Sequence, residues 1–242
     1  MPQVRSLSPP TVRAELIGFL VLALLLSGSA AALLGKPGVL LQALVVAGVM
    51  VALVGRAVTA GGAPRGLGLA DRITLLRASG VAVLAGLPFQ ATLADPVLWA
   101  VVATASLLLI LDGVDGAVAR RTGTASDFGA RFDMELDAFF ILVLCLLLWQ
   151  RGDLGVWVLL VGLLRYIFVG AGLLLPALRA PLPESLARKT VCVVQVVALL
   201  ISLAPWVSAG WAAGIMLTAL ALLVASFAAD VRWLLRHGAN GR

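Results

Sequence analysis

Charge is scarce in this 242-residue chain: 12% of its residues are Asp, Glu, Lys or Arg, while 62% are hydrophobic and the mean hydropathy is +1.09. A soluble domain carries about a quarter charged and about half apolar residues, so this composition excludes a water-soluble globular protein and marks an integral membrane protein. Cysteine is nearly absent. Cys145 and Cys192 both fall inside apolar runs, where each reads as a small buried side chain and not as half of a disulfide or a metal ligand. The single histidine, His237, lies in the basic tail and reads as solvated. The formal net charge is +6, but the basic residues stand at the ends of apolar runs. They lack the clustering and aromatic interleaving of a nucleic-acid groove, so no nucleic-acid partner is expected. Internal repeats, heptads and low-complexity tracts are also missing.

What the chain does have is long apolar runs. Eight of them, over residues 15–34, 38–55, 74–92, 97–114, 132–150, 155–177, 190–206 and 211–230, approach the roughly 20 residues a helix needs to cross a bilayer. Lipid forces helix here, because an open sheet edge would leave backbone groups unpaired. The expected fold class is therefore all-α, a polytopic transmembrane helical bundle. The first run carries Glu15, is too long for a signal peptide and has no clear small-residue cleavage site, so it reads as an anchor retained in the mature protein. The Gly- and Pro-rich segment Thr59–Gly68 marks a module boundary. Two N-terminal transmembrane helices and their linker occupy residues 1–65, and a six-helix core occupies 66–242.

Eight spans put both termini on one side. Of the eighteen Lys and Arg residues, all but Lys36, Arg151 and Arg165 then fall on that side, which the positive-inside rule identifies as cytoplasmic. The expected location is multi-pass in a membrane, the plasma (inner) membrane in a bacterium, with both chain ends in the cytoplasm. Arg165 alone lies deep within a run, whereas Arg77 stands near the edge of its own.

The scarce acidic charge is concentrated. The stretch Asp112–Asp137 holds six of the twelve acidic residues: Asp112, Asp115, Asp127, Asp133, Glu135 and Asp137. On helices, Asp112 and Asp115 stand three apart and Asp133 and Asp137 four apart, so each pair shares a face. Four neighbouring carboxylates repel one another, and hard divalent ions with oxygen preference, Mg²⁺ or Mn²⁺, relieve that repulsion. Mg²⁺ completes its shell with water and substrate phosphate, which points to a phosphate-bearing substrate. A merely wet acidic loop is a poor account, since intrahelical carboxylates cost about 2.5–3.5 kcal/mol each near the centre of a span. Gly116, Ala117 and Ala119 clear one helix face for close approach, Arg120 supplies a forked cation for phosphate, and Gly129 clears the facing helix. Asp127 and Glu135 read as plain solvated or salt-bridged residues.

The order D-x-x-D-G-x-x-A-R, eight residues, then G-x-x-x-D-x-x-x-D is complete at Asp112, Asp115, Gly116, Ala119, Arg120, Gly129, Asp133 and Asp137. It resembles the signature of the CDP-alcohol phosphotransferase family, also called CDP-alcohol phosphatidyltransferases. The run Asp71–Arg77, DRITLLR, looks like the family's N-x-x-T-x-x-R, with Asp71 where asparagine is common. Lys189 and Gln195 resemble a Lys and a Gln at the start of the family's fifth core helix, with Cys192 where threonine is frequent. The resemblance covers roughly residues 66–235 and leaves the first two runs outside.

That resemblance implies a phospholipid-synthesis transferase that moves a phosphatidyl group from a CDP-linked lipid, usually CDP-diacylglycerol, to an alcohol acceptor with release of CMP. It implies two divalent ions, Mg²⁺ or Mn²⁺, held by Asp112, Asp115 and Asp133, with Asp137 as a further ligand or as the catalytic base. Thr74, Arg77, Gly116, Arg120 and Gly129 would line the CDP site. Arg77, at a membrane edge, also reads as a topology anchor. Arg165 resembles an arginine that family members using phosphorylated acceptors place in the fourth core helix, and with Lys189 it would face the acceptor. Family members are often homodimers, which makes a second copy of this chain a candidate partner. Two other readings compete: an intramembrane Mg²⁺-dependent prenyltransferase, whose aspartate motifs usually stand far apart, and a divalent-cation transporter, which would gain nothing from Arg120 beside its ligands.

Overall fold

The computed structural model describes residues 12–59, 69–90, 93–122, 127–175, 178 and 185–237; for residues 57–59, 69–70, 115–122, 127–128 and 237 the description is of the backbone alone. Among them the structure is all-helical: α1 Val12–Leu34, α2 Pro37–Thr59, α3 Leu69–Ala85, α4 Asp95–Thr122, α5 Asp127–Gln150, a 3₁₀ turn Val156–Val158, α6 Leu159–Leu174, α7 Leu186–Leu203 and α8 Ala209–His237. Proline marks several boundaries. Pro37 and Pro96 sit in first turns, where the missing N–H has no intrahelical acceptor, and Pro88 and Pro205 follow the ends of α3 and α7. Gly35 takes φ +63° to end α1, letting the Lys36 N–H return to the Ala31 carbonyl at 2.9 Å.

Six of these helices are long and apolar enough to cross a membrane by length and composition: α1, α2, α4, the 3₁₀ turn with α6, α7 and α8. The chain is a multi-pass integral membrane protein of the polytopic helical class. The other two of the eight expected spans are helices of a different make. α3 has 17 residues and stops at Ala85, short of the expected residue 92, because Gly86 and Pro88 turn the backbone even though the sequence stays apolar. α5 has 24 residues, but its first half carries Asp127, Arg131, Asp133, Glu135 and Asp137. α4 runs past the expected residue 114 to Thr122, so the motif's first half is helical throughout. Trp99, Trp149, Trp157, Trp206 and Trp211 all lie at or next to helix ends away from the carboxylates along the chain, as tryptophan does at a membrane–water interface.

The chain divides into two compact units, Met1–Gln90 with Leu107–Leu136 and Ala91–Ser106 with Asp137–Arg242, and the unbroken helices α4 and α5 belong partly to each. In the first unit α1, α2 and α3 pack on one another. Phe19, Ala23, Ser27 and Ala31 repeat every four residues as the buried stripe of α1, and Val39, Ala43 and Ala47 do the same on α2. The alanines and serine of these stripes allow close approach between helices that gain no hydrophobic drive from lipid. The approach is closest at Gly86, where a Cβ would lie 2.5 Å from the Val39 carbonyl oxygen. Buried on nearly every side, α3 makes the centre of this unit: Asp71, Thr74, Arg77 and Ser79 are all at most 6% exposed. Arg72 reaches out instead and donates from Nε to Glu15 Oε1 of α1 at 2.8 Å.

In the second unit the later half of α5 is central, with Val143, Leu144, Cys145, Leu147 and Leu148 buried. α6 meets it at Gly162, where a Cβ would come 2.7 Å from Leu142 Cα. α7 and α8 pack through Leu199, Leu203, Ala212 and Met216, and Gln195 donates from Nε2 to the Ala219 carbonyl at 2.7 Å. Arg188 pairs with Asp230 at 2.9 Å near the other end of the same helix pair.

Candidate metal centre

Three helices bring the site together. α3 contributes Arg77, whose Nη1 stands 2.9 Å from Asp112 Oδ1 of α4 and 2.5 Å from Asp133 Oδ1 of α5. Arg77 is 2% exposed, whereas both carboxylates are half-buried, so the guanidinium lies deeper than the acids it joins. Asp137 follows Asp133 by one turn of the unbroken α5. One oxygen each of Asp112, Asp133 and Asp137 falls within 4.8 Å of the others.

The donor set is all carboxylate oxygen, with neither histidine nor cysteine. That fits a hard divalent ion such as Mg²⁺ or Mn²⁺ and not a soft or borderline metal. A buried guanidinium beside two of the three acids supplies positive charge that offsets their mutual repulsion.

The other expected site residues are placed as follows. Thr74 is buried on α3, one turn before Arg77, and Asp71 is buried one turn before that. Gly129 lies on α5 one turn before Asp133. Asp115, Gly116 and Arg120 lie in the last two turns of α4, and their side chains are outside the described residues. Glu135 is exposed, and the Asp127 side chain is outside the described residues. In the second unit Arg165 is half-buried on α6, and Lys189 is exposed in the first turn of α7, just after the Ser185 cap.

Sequence reasoning gave Arg77 a nucleotide contact or an anchoring role and missed its pairing with Asp112 and Asp133. The available signal was compositional: several acids gathered on membrane helices need a cation, and Arg77 is the basic residue at the fixed last position of the D-x-x-T-x-x-R run.

Comparison with known proteins agrees with the geometry. The model of one family, CDP-alcohol phosphatidyltransferase, matches residues 67–226, from just before α3 into α8 and through the whole carboxylate motif. Among curated proteins and solved structures none matches. A membrane helical fold, a complete aspartate motif and a family match over more than half of the chain lead to one conclusion: this protein belongs to the CDP-alcohol phosphatidyltransferase family, a divalent-metal-dependent group of transferases that use a CDP-alcohol and an alcohol acceptor.

Proposed function

We propose that the protein transfers a phosphatidyl group from CDP-diacylglycerol to an alcohol, releasing CMP, in phospholipid synthesis. The observation that carries this reading is the gathering of Asp112, Asp133 and Asp137 oxygens within 4.8 Å on helices of a membrane protein of this family. Two divalent ions, Mg²⁺ or Mn²⁺, held by Asp112, Asp115, Asp133 and Asp137, would supply electrostatic stabilisation to the phosphate oxygens. The chain's own groups do the rest. Arg120 and Arg77 bind and orient the phosphates, Thr74 borders them, and Gly116 and Gly129 admit the nucleotide close to the helices. Asp137 accepts the proton of the acceptor hydroxyl as its oxygen bonds to the diacylglycerol-bearing phosphorus, and the bond from that phosphorus to the bridging oxygen breaks to free CMP. Arg165 and Lys189 face the acceptor. The site and both termini lie on the cytoplasmic side, as the distribution of basic residues supports, and α1 and α2 form a module preceding the six-helix core of residues 66–242. The family match speaks against the prenyltransferase and transporter readings.

The test is incubation of the detergent-purified protein with CDP-diacylglycerol, Mg²⁺ or Mn²⁺ and a panel of labelled acceptors, including serine, glycerol phosphate and an inositol phosphate. CMP should appear in step with one labelled phospholipid. No CMP with any acceptor, from folded protein, would refute the reading.

A further inference from the structure

The buried Arg77 guanidinium does more than border the site. A single nitrogen, Nη1, contacts Oδ1 of Asp112 and Oδ1 of Asp133, at 2.9 and 2.5 Å, and so sits between two of the three carboxylates that would hold a divalent ion. Such an ion binds carboxylate oxygen at about 2.0–2.1 Å, which leaves no room for an N–H donor at the same point between the same oxygens. The position holds one cation at a time. We propose that Arg77 is the resident counter-ion of the metal-free protein and exchanges with the divalent ion, giving up at least one of its two aspartates when the metal binds; this rests on the reading above that these carboxylates hold metal.

Two consequences follow from charge. Without metal, Arg77 cancels part of the repulsion among Asp112, Asp133 and Asp137 and keeps α3, α4 and α5 together before loading. On loading, an incoming dication must displace a guanidinium that is 2% exposed from carboxylates it already neutralises, so metal affinity is held down. The released guanidinium is then directed to the next anion to arrive, and a substrate phosphate has the forked oxygen geometry it prefers. Arg77 is thus a positioning residue that sets metal affinity and links metal loading to binding of the phosphate-bearing substrate.

The experiment measures Mn²⁺ binding to full-length metal-stripped protein in detergent, by the spin-resonance signal of free Mn²⁺, for wild type, Arg77→Gln and Arg77→Lys. Arg77→Gln should bind Mn²⁺ roughly tenfold more tightly or better, since the competing charge is gone. It should also melt below wild type without metal and gain more from Mn²⁺. Arg77→Lys keeps the charge and should stay close to wild type in affinity. Equal or weaker binding by Arg77→Gln overturns the exchange while leaving the metal site standing; no Mn²⁺ binding by wild type overturns both. An arm independent of any variant is a structure of wild-type protein with Mn²⁺ bound. The guanidinium should then lie beyond the ion-pair distance of about 4 Å from Asp112 or Asp133; both contacts intact beside a bound ion would also overturn the proposal.

Discussion

Replacing Arg151 with methionine should destabilise the protein while leaving its chemistry alone. Arg151 lies in the turn after α5, and its guanidinium reaches across to the turn between α7 and α8. Nη1 donates to the carbonyls of Ser202 and Ala204, both at 3.1 Å, and Nη2 to those of Val207 at 3.2 Å and Pro205 at 3.5 Å. Nε pairs with Asp153 at 2.6 Å. α7 ends at Leu203, so its last carbonyls have no intrahelical donor, and Arg151 caps them with a cation at the negative end of the helix dipole. Three of the four carbonyl contacts are shorter than 3.3 Å. Hydrogen bonds to charged groups contribute about 1.5–3 kcal/mol each, but these carbonyls are only partly buried and water would recover some of the loss. The net cost of Arg151→Met is then about 2–4 kcal/mol, or a fall of roughly 5–15 °C in melting temperature for a chain of this size. Tryptophan-monitored melting in detergent reads the stability, and CMP release measured well below the melting range reads the activity. A melting temperature within 2 °C of wild type, a margin of about 1 kcal/mol or less, would refute the capping role; so would loss of low-temperature activity in a variant of normal stability.

Two further outcomes are expected. Gly162→Ala should cost about 1–3 kcal/mol, because its Cβ would lie 2.7 Å from the backbone Cα of Leu142, which cannot yield alone. Gly80→Ala should cost clearly less, since the 2.7 Å neighbour there is the mobile Cδ2 end of Leu108; melting curves that rank the two the other way would contradict this packing account. Arg165→Gln should fold normally and raise the acceptor KM many-fold with the KM for CDP-lipid nearly unchanged. If both substrates weaken together, or the variant loses thermal stability, Arg165 serves the fold and not the acceptor.

The sequence made the helices legible because lipid leaves the backbone few alternatives, and it made the carboxylates of α4 and α5 legible because their spacings of three and four fix shared faces. It misjudged α3. The run continues apolar through Leu87, Pro88 and Phe89, so hydropathy extended the span, whereas the backbone turns at Gly86 and places Phe89 at φ +67°. Partnerships between distant charges were not legible either. Arg77 meets acids 35 and 56 positions away, and Arg151 meets carbonyls more than 50 positions away. Periodicity reports faces within one helix and says nothing of which helices meet. Arg151 therefore read only as one of few basic residues on the far side, when its work is to close the end of α7.

The central claim, that the aspartates of α4 and α5 hold the metal that drives release of CMP, is tested most directly by CMP release from CDP-diacylglycerol in EDTA-stripped protein, before and after Mg²⁺ or Mn²⁺ is restored. Wild type should be inactive when stripped and recover with metal. Asp112→Asn, Asp115→Asn and Asp133→Asn should each stay inactive under restored metal, and Asp137→Asn should lose turnover while largely keeping its affinity for the CDP-lipid. Undiminished CMP release in EDTA, or full metal-restored activity in any of the first three variants, would contradict the account.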